Sequence, residues 1–192
     1  ADASMAGMAK LKPFFDKKYG NITAANSSQI TDGAAWLILA SEDAMKQWNL
    51  KPLGRITDSQ WSGLDPAQMG LGPVHAATPI LQRQGLGLND LDAWEINEAF
   101  AAQVLACIEA WKSEDYCREQ LGLPGALGAL DEDKLNVDGG AVALGHPVGA
   151  SGARIVLHLL QVLRQRKAKR GIASICIGGG LGGAMLVEAA EG

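Results

Sequence analysis

An α/β fold built around a largely buried sheet is what this sequence predicts. Three observations carry it. Short apolar runs of strand length alternate with segments of helical periodicity. Hydrophobic residues make up 47% of the 192, and 24 glycines punctuate the alternation. Strand followed by helix, repeated, implies βα units with helices covering the sheet.

Residues 1–32 are mixed. The stretch 10–15 reads as a surface segment with an aromatic anchor, and 21–33 is rich in Asn, Ser, Thr and Gly, which is loop chemistry. Residues 34–40, Ala-Ala-Trp-Leu-Ile-Leu-Ala, form an apolar run with no polar face, expected to be a buried strand. Ser41 then caps a helix whose first turn carries Glu42 and Asp43, running to about Trp48. Residues 53–58 read as a strand, 74–84 as a helix ended by Gly85, and 91–96 as a strand delivering Asn97 at its end. Residues 98–112 predict a helix burying Ala101, Val104, Leu105, Ile108 and Trp111 on one face. The acidic stretch 113–135 reads as a surface excursion and 136–144 as extended or irregular. Residues 151–166 predict a helix with Ile155, Val156, Leu159, Leu160, Val162 and Leu163 inward; strands at 171–177 and 184–188 close the pattern. The strand at 34–40 has no earlier strand to pair with, although a buried strand needs neighbours. Partners outside this sequence are therefore expected.

Bulk properties exclude several classes. A formal charge of −4 gives no reason to expect nucleic-acid binding. No run of 18 apolar residues predicts a membrane span, and the first residues lack the charge pattern of a secretory leader. Three cysteines, at 107, 117 and 176, are an odd number without metal-like pairing, which favours free thiols, a reducing compartment and a cytoplasmic location. No metal site is expected. The cluster Arg164, Arg166, Lys167, Lys169 and Arg170 reads as a solvated helix end. His75 and His158 receive no role.

Chemistry concentrates in three segments. In Gly145-His146-Pro147, Pro147 steers His146 away from helical geometry and presents its imidazole from a loop, before a small-residue helix start at Gly149-Ala150-Ser151-Gly152. In Cys176-Ile177-Gly178-Gly179-Gly180, a thiol at a strand end precedes glycines that can turn backbone N–H groups toward an oxyanion. Asn97 sets a carboxamide at a strand–helix junction, able to hold a water or carbonyl. Each has an ordinary alternative: a loop histidine, a buried cysteine before a turn, a helix N-cap.

Taken together, Asn97-Glu98-Ala99-Phe100-Ala101, Asn136-Val137-Asp138-Gly139-Gly140, residues 145–152 and residues 176–180 closely resemble the fingerprints of the thiolases. Asn26-Ser27-Ser28 and Asp32-Gly33-Ala34 resemble that family's coenzyme A loop. The resemblance covers nearly the whole chain and corresponds to the C-terminal half of a typical member. It implies a βαβαβαββ half with a mixed five-stranded sheet between helices at 49–192. Residues 1–48 would be the end of the loop domain and the last strand and helix of the N-terminal half.

The implied activity is reversible thiolytic cleavage or Claisen condensation of 3-ketoacyl-CoA, with coenzyme A and acyl-CoA as substrates and no permanently bound cofactor. In that scheme His146 activates a nucleophilic thiol, and with a water on Asn97 forms an oxyanion hole for the enolate. Cys176 exchanges the proton at the α-carbon, and the Gly178 N–H stabilises a tetrahedral intermediate. Ser28 contacts pantetheine, Met69 and Phe100 wall the acyl pocket, and Glu98 orients its neighbours.

The long excursion resembles that of fatty-acid-oxidation thiolases, while Gln29 stands where short-chain members carry a small residue. The resemblance implies that the nucleophilic cysteine belongs to the N-terminal half, which this sequence lacks; Cys107 reads as a packed core cysteine inside a helix, and Cys117 lies in the polar excursion. A second chain carrying the N-terminal half and that cysteine is the expected partner, through an interface above about 2,000 Å² and in an α2β2-type assembly. The alternatives are a non-catalytic CoA-binding or assembly subunit, and a Cys–His hydrolase using Cys176 itself.

Overall fold

The computed structural model describes residues 3–190. A single turn, α1 (Met5–Met8), capped by the Ser4 hydroxyl, leads into a loop with a 3₁₀ turn at Ala24–Asn26. Helix α2 (Glu42–Trp48) starts where expected, with the Ser41 side chain accepting from the Ala44 amide. Strand β1 (Gly54–Gly63) and a 3₁₀ segment (Pro66–Leu71) precede α3 (Gly72–Gln84). Then follow β2 (Ala93–Ile96), α4 (Ala101–Lys112), α5 (Glu114–Leu121), α6 (Ala141–Leu144), α7 (Ser151–Arg166), β3 (Arg170–Ile177) and β4 (Leu181–Ala189). Among the described residues no helix is long and apolar enough to cross a membrane.

The sheet has the order β1-β4-β3-β2. β4 runs antiparallel to both β1 and β3, while β2 and β3 are parallel, so the sheet is mixed. Residues alternate between faces. Trp94, Ile96, Ile172 and Leu186 pack with α3 and α4 in one core. Ala93, Ala173 and Val187 pack under α7 in the other. All six inward residues predicted for α7 are buried.

Four expectations need correction. Leu105, expected on the buried face of α4, is 58% exposed. The described sheet has four strands, not five. At the free edge of β2 no further strand pairs among the described residues; Leu135 bridges Trp94, the Asn136 amide bonds the Trp94 carbonyl at 2.9 Å, and the Asn136 side chain bonds Ile96. Asn136 itself has φ +45°, a left-handed conformation that turns the chain away before a strand can grow.

Residues 34–40 form no strand. They lack a ladder partner, so only Leu37 packs on the α7-side core, while Trp36 is 85% and Ile38 93% exposed. The segment 113–135 is more than a surface excursion. It folds into α5, fully buries Cys117 beneath the Ala110 and Trp111 carbonyls, and contributes Leu123 and Leu130 to the interior. His75, given no role by sequence, joins α3 to α5 through the Tyr116 hydroxyl at 2.9 Å.

The close approach of α3 to β4 requires Gly182, where a Cβ would run into the Gly72 backbone from its Cα to its carbonyl oxygen. Gly182→Ala is therefore expected to destabilise the protein by about 1–3 kcal/mol, because backbone cannot swing aside. Gly152→Ala, with open space at the same atom, should be neutral or stabilising by up to about 1 kcal/mol through helix propensity. Urea midpoints test both; equal midpoints for the two variants would contradict this packing.

Candidate active site

The end of β2 positions the first group. Asn97 continues the parallel ladder, its amide donating to the Ser174 carbonyl at 2.9 Å. Ile96 pairs with Ser174, so the register places Cys176 just beyond the level of Asn97 on the neighbouring strand. Asn97 does not cap the following helix. Phe100 occupies the N-cap of α4 without a side-chain bond, and the Asn97 carboxamide, 2% exposed, turns instead toward His146. Its Nδ2 lies 3.4 Å from His146 Nε2, and its Oδ1 has no protein partner.

His146 is held from three sides. Its backbone N–H donates to the Gln29 carbonyl at 2.7 Å, and its Nδ1 lies 2.6 Å from Ser151 Oγ. Gly145, with φ +88°, has the Thr31 side chain packed where a Cβ would stand. Arg154 Nη2 donates to the Gly145 carbonyl at 2.8 Å. Burial, reinforced by the Arg154 charge, pushes the His146 pKa below its ordinary 6.5, favouring a neutral imidazole.

Residues 27–30 lie between the Asn97 and His146 segments. Ser27 bridges Phe100 on one side and Ile30 bridges His146 on the other. The Ser28 amide and hydroxyl both donate to the Ala99 carbonyl at 3.0 Å, so this side chain fixes the loop to the Asn97 segment. Phe100 meets the Phe15 ring edge-on, with centroids 6.0 Å apart. Met69, half-buried, sits in the 3₁₀ segment that packs against α4. The structure thus joins Asn97, His146, Ser28 and Phe100 through direct contacts or bridges.

Cys176 is buried, and burial raises its pKa above the usual 9.0. It rests as a thiol, the form that donates a proton. The following Gly178 has open space beside it, while Gly179 and Gly180 turn the chain with φ +89° and +82°. Cys107, by contrast, is sealed in the core against the Gly70 carbonyl, its pKa pushed up to about 12.

Of the supporting residues, Glu98 was given a role from the sequence, whereas Glu95, His158 and Arg154 were not. Glu98 accepts from Asn136 Nδ2 at 2.9 Å and from the Val142 amide at 3.1 Å, with Gly140 giving its carboxylate room. Glu95, 5% exposed, points from β2 toward α7 and meets His158 Nδ1 at 2.8 Å; His158 Nε2 reaches Asp138 at 3.2 Å. Glu95, Glu98, Gly140, Arg154 and His158 line a cavity of about 100 Å³ behind Asn97. A carboxylate inside the otherwise apolar β2 was the available signal, since a buried acid requires a partner.

Comparison with known proteins gives a consistent result. The family described as "Thiolase, C-terminal domain" matches residues 50–189, and "Thiolase, N-terminal domain" matches residues 1–43. A 3-ketoacyl-CoA thiolase of Serratia proteamaculans is 45% identical over 188 residues, 97% of this chain and 43% of that protein. One from Escherichia coli O7:K1 is 46% identical over 98% of this chain and 43% of its own length. The human mitochondrial 3-ketoacyl-CoA thiolase solved in complex with CoA superposes with a TM-score of 0.80 at 40% identity, covering 99% of this chain and 44% of that one. The Bacillus anthracis acetyl-CoA acetyltransferase gives 0.84 at 43% identity, with the same coverage. The chain spans less than half the length of the relatives it matches.

Glu95 provides a pH test of the site's rear wall. Burial lifts its pKa from 4.5 to about 7, against the opposing pull of His158 and with help from Glu98 and Asp138. The folded protein therefore keeps a proton that the unfolded chain releases above 4.5. This contribution to stability is complete below pH 4.5, falls as pH rises toward 7 and is lost above it. Glu95→Gln should remove that loss, whose slope is at most about 1.4 kcal/mol per pH unit. Parallel stability curves for parent and variant between pH 4.5 and 7.5 would contradict the assignment.

Proposed function

The chain belongs to the thiolase family, and on that premise we propose that it supplies the base, the proton-exchanging thiol and the enolate-binding groups for the acyl-transfer chemistry of 3-ketoacyl-CoA. The observation that carries the reading is the convergence of His146 Nε2 and Asn97 Nδ2 at 3.4 Å, beside the strand that ends in Cys176.

In the thiolytic direction His146 Nε2 takes the proton of a nucleophilic thiol, and the thiolate attacks the 3-keto carbon. The bond between C2 and C3 breaks, its electron pair passing to C2 and the thioester oxygen as an enolate. Nε2–H of the new imidazolium and a water on Asn97 stabilise that oxygen. Cys176 Sγ–H gives its proton to C2, completing acetyl-CoA. The Cys176 thiolate then takes the proton of an incoming CoA thiol. The CoA sulfur attacks the acyl thioester, and the Gly178 N–H steadies the tetrahedral oxyanion. Collapse releases the shortened acyl-CoA and returns the nucleophile as a thiolate, which recovers its proton from His146. No metal or bound cofactor takes part. Ser28 holds the loop along which pantetheine would run, and Met69 and Phe100 flank the acyl path.

The acyl-carrying thiol is assigned to polypeptide beyond these 192 residues. Cys107 and Cys117 are locked in the core, and Cys176 has its own proton to move. The exposed Trp36, Ile38 and Leu39 support a neighbour that completes their strand. A separate chain bearing the N-terminal half, in an α2β2-type assembly, is the form we favour. Residues 1–48 then belong to that half and 49–192 to the C-terminal domain. The 3-ketoacyl-CoA thiolase names of the relatives and this chain's own segment 113–135 favour fatty-acid β-oxidation as the setting.

Thiolysis of acetoacetyl-CoA and of longer 3-ketoacyl-CoA by the assembled enzyme tests this. Asn97→Ala should lower kcat about 10²–10³-fold, the cost of losing one oxyanion donor. Cys176→Ala should lower it about 10²–10⁴-fold through loss of the positioned acid. Because the neutral imidazole is the active form and its pKa is depressed, the acidic limb of kcat/KM should fall below pH 6.5. Undiminished kcat in either variant would remove that residue from the scheme.

A further inference from the structure

We propose that Ser151 is a positioning residue that holds the His146 imidazole with its proton on Nδ1 and its lone pair on Nε2. The inference rests on the reading of His146 as the base. Ser151, fully buried, is the first residue of α7. Its Oγ lies 2.6 Å from His146 Nδ1 and 3.1 Å from the Pro147 carbonyl oxygen. A carbonyl has no proton to give, so that contact is a bond only when the serine hydroxyl donates. The single hydroxyl proton being committed there, the Oγ lone pair faces Nδ1 and accepts its N–H.

The other side of the ring agrees. Asn97 Nδ2 approaches Nε2 at 3.4 Å. A bare Nε2 receives this donor, whereas a protonated one would oppose N–H to N–H. The reverse tautomer needs the Asn97 carboxamide turned over and the serine proton withdrawn from Pro147. Direction therefore runs one way through four groups: Asn97 N–H to Nε2, Nδ1–H to Ser151, and Ser151 O–H to Pro147.

The backbone keeps this geometry. The Pro147 carbonyl also accepts the Ala150 amide at 2.7 Å and the Ser151 amide at 2.9 Å, so its lone pairs are aimed by the loop–helix turn. The Gln29 carbonyl anchors His146 from the opposite side at 2.7 Å. A neutral hydroxyl orients the ring without the proton-attracting charge that a carboxylate partner would bring. When Nε2 takes a proton, the Nδ1 bond stays as it was and the ring does not need to move. His146 Nε2–H then points at the enolate oxygen, which the water held by Asn97 also meets.

The test is nitrogen-15 NMR of histidine-labelled assembled enzyme, with Ser151→Ala and Ser151→Thr. The parent should show His146 protonated on Nδ1. Ser151→Ala should shift the proton toward Nε2 and lower kcat about 10–100-fold with KM little changed. Ser151→Thr, which keeps the hydroxyl, should restore the tautomer and part of the rate. A parent carrying the proton on Nε2 would overturn the proposal without any variant. So would a Ser151→Ala enzyme that loses rate but keeps the parent tautomer, or keeps both. The tautomer is read without turnover, so an enzyme inactive on 3-ketoacyl-CoA would end the functional reading and leave the spectrum to decide on Ser151.

Discussion

The site depends on how the short strand β2 is finished. It has four residues and lies at the sheet edge, where backbone groups need partners that a missing strand would normally provide. The Asn136 side chain takes that place. Its Oδ1 accepts from the Ile96 amide and its Nδ2 donates to the Ile96 carbonyl, both at 2.9 Å, while Nδ2 also reaches Glu98. A side-chain amide thus imitates one residue of a neighbouring strand. Leaving the Ile96 groups unpaired would cost about 1–3 kcal/mol each. This closure fixes the direction in which Asn97 leaves the sheet and sets its carboxamide beside His146.

The second organising feature is the passage of residues 27–33 across the site. Ser27 and Ser28 bond to the Asn97 segment, Gln29 and Ile30 to His146, and Thr31 and Gly33 pack on Gly145 and Pro147. At Ser28 the bond joins residues 71 positions apart. An imidazole presented from a loop is held by backbone bonds, so in the proposed scheme the oxyanion donors would be oriented before substrate arrives. Such preorganisation makes fixed dipoles effective in a site sheltered from water.

Local pattern was enough to read much of this from sequence. The α7 periodicity gave its six inward apolar residues, Ser41 marked the start of α2, and the three chemical segments stood out through His146, Asn97 and Cys176. What escaped needed distances the sequence does not contain. Glu95 meets His158 only because β2 and α7 cross in register, 63 residues apart. Ser151 looked like one small residue among several until the turn at Pro147 brought it under the imidazole. Asn97 suited a helix N-cap, but the helix starts three residues later and tertiary contact takes its side chain. Cys117 lies in a polar sequence, yet Trp111 and Leu123 enclose it. Residues 34–40 are apolar enough for a buried strand, but a strand needs a ladder partner, and among the described residues none pairs with them.

The central claim is a division of labour: these residues move protons and stabilise the enolate, and a thiol elsewhere carries the acyl group. Incubating the assembled enzyme with isotope-labelled acetyl-CoA, quenching in acid and mapping the acyl thioester by peptide mass spectrometry tests it directly. The account predicts the label on a cysteine outside these 192 residues and none on Cys107, Cys117 or Cys176. A stoichiometric label on Cys176 would contradict it, making that thiol the nucleophile and leaving the α-proton without its acid.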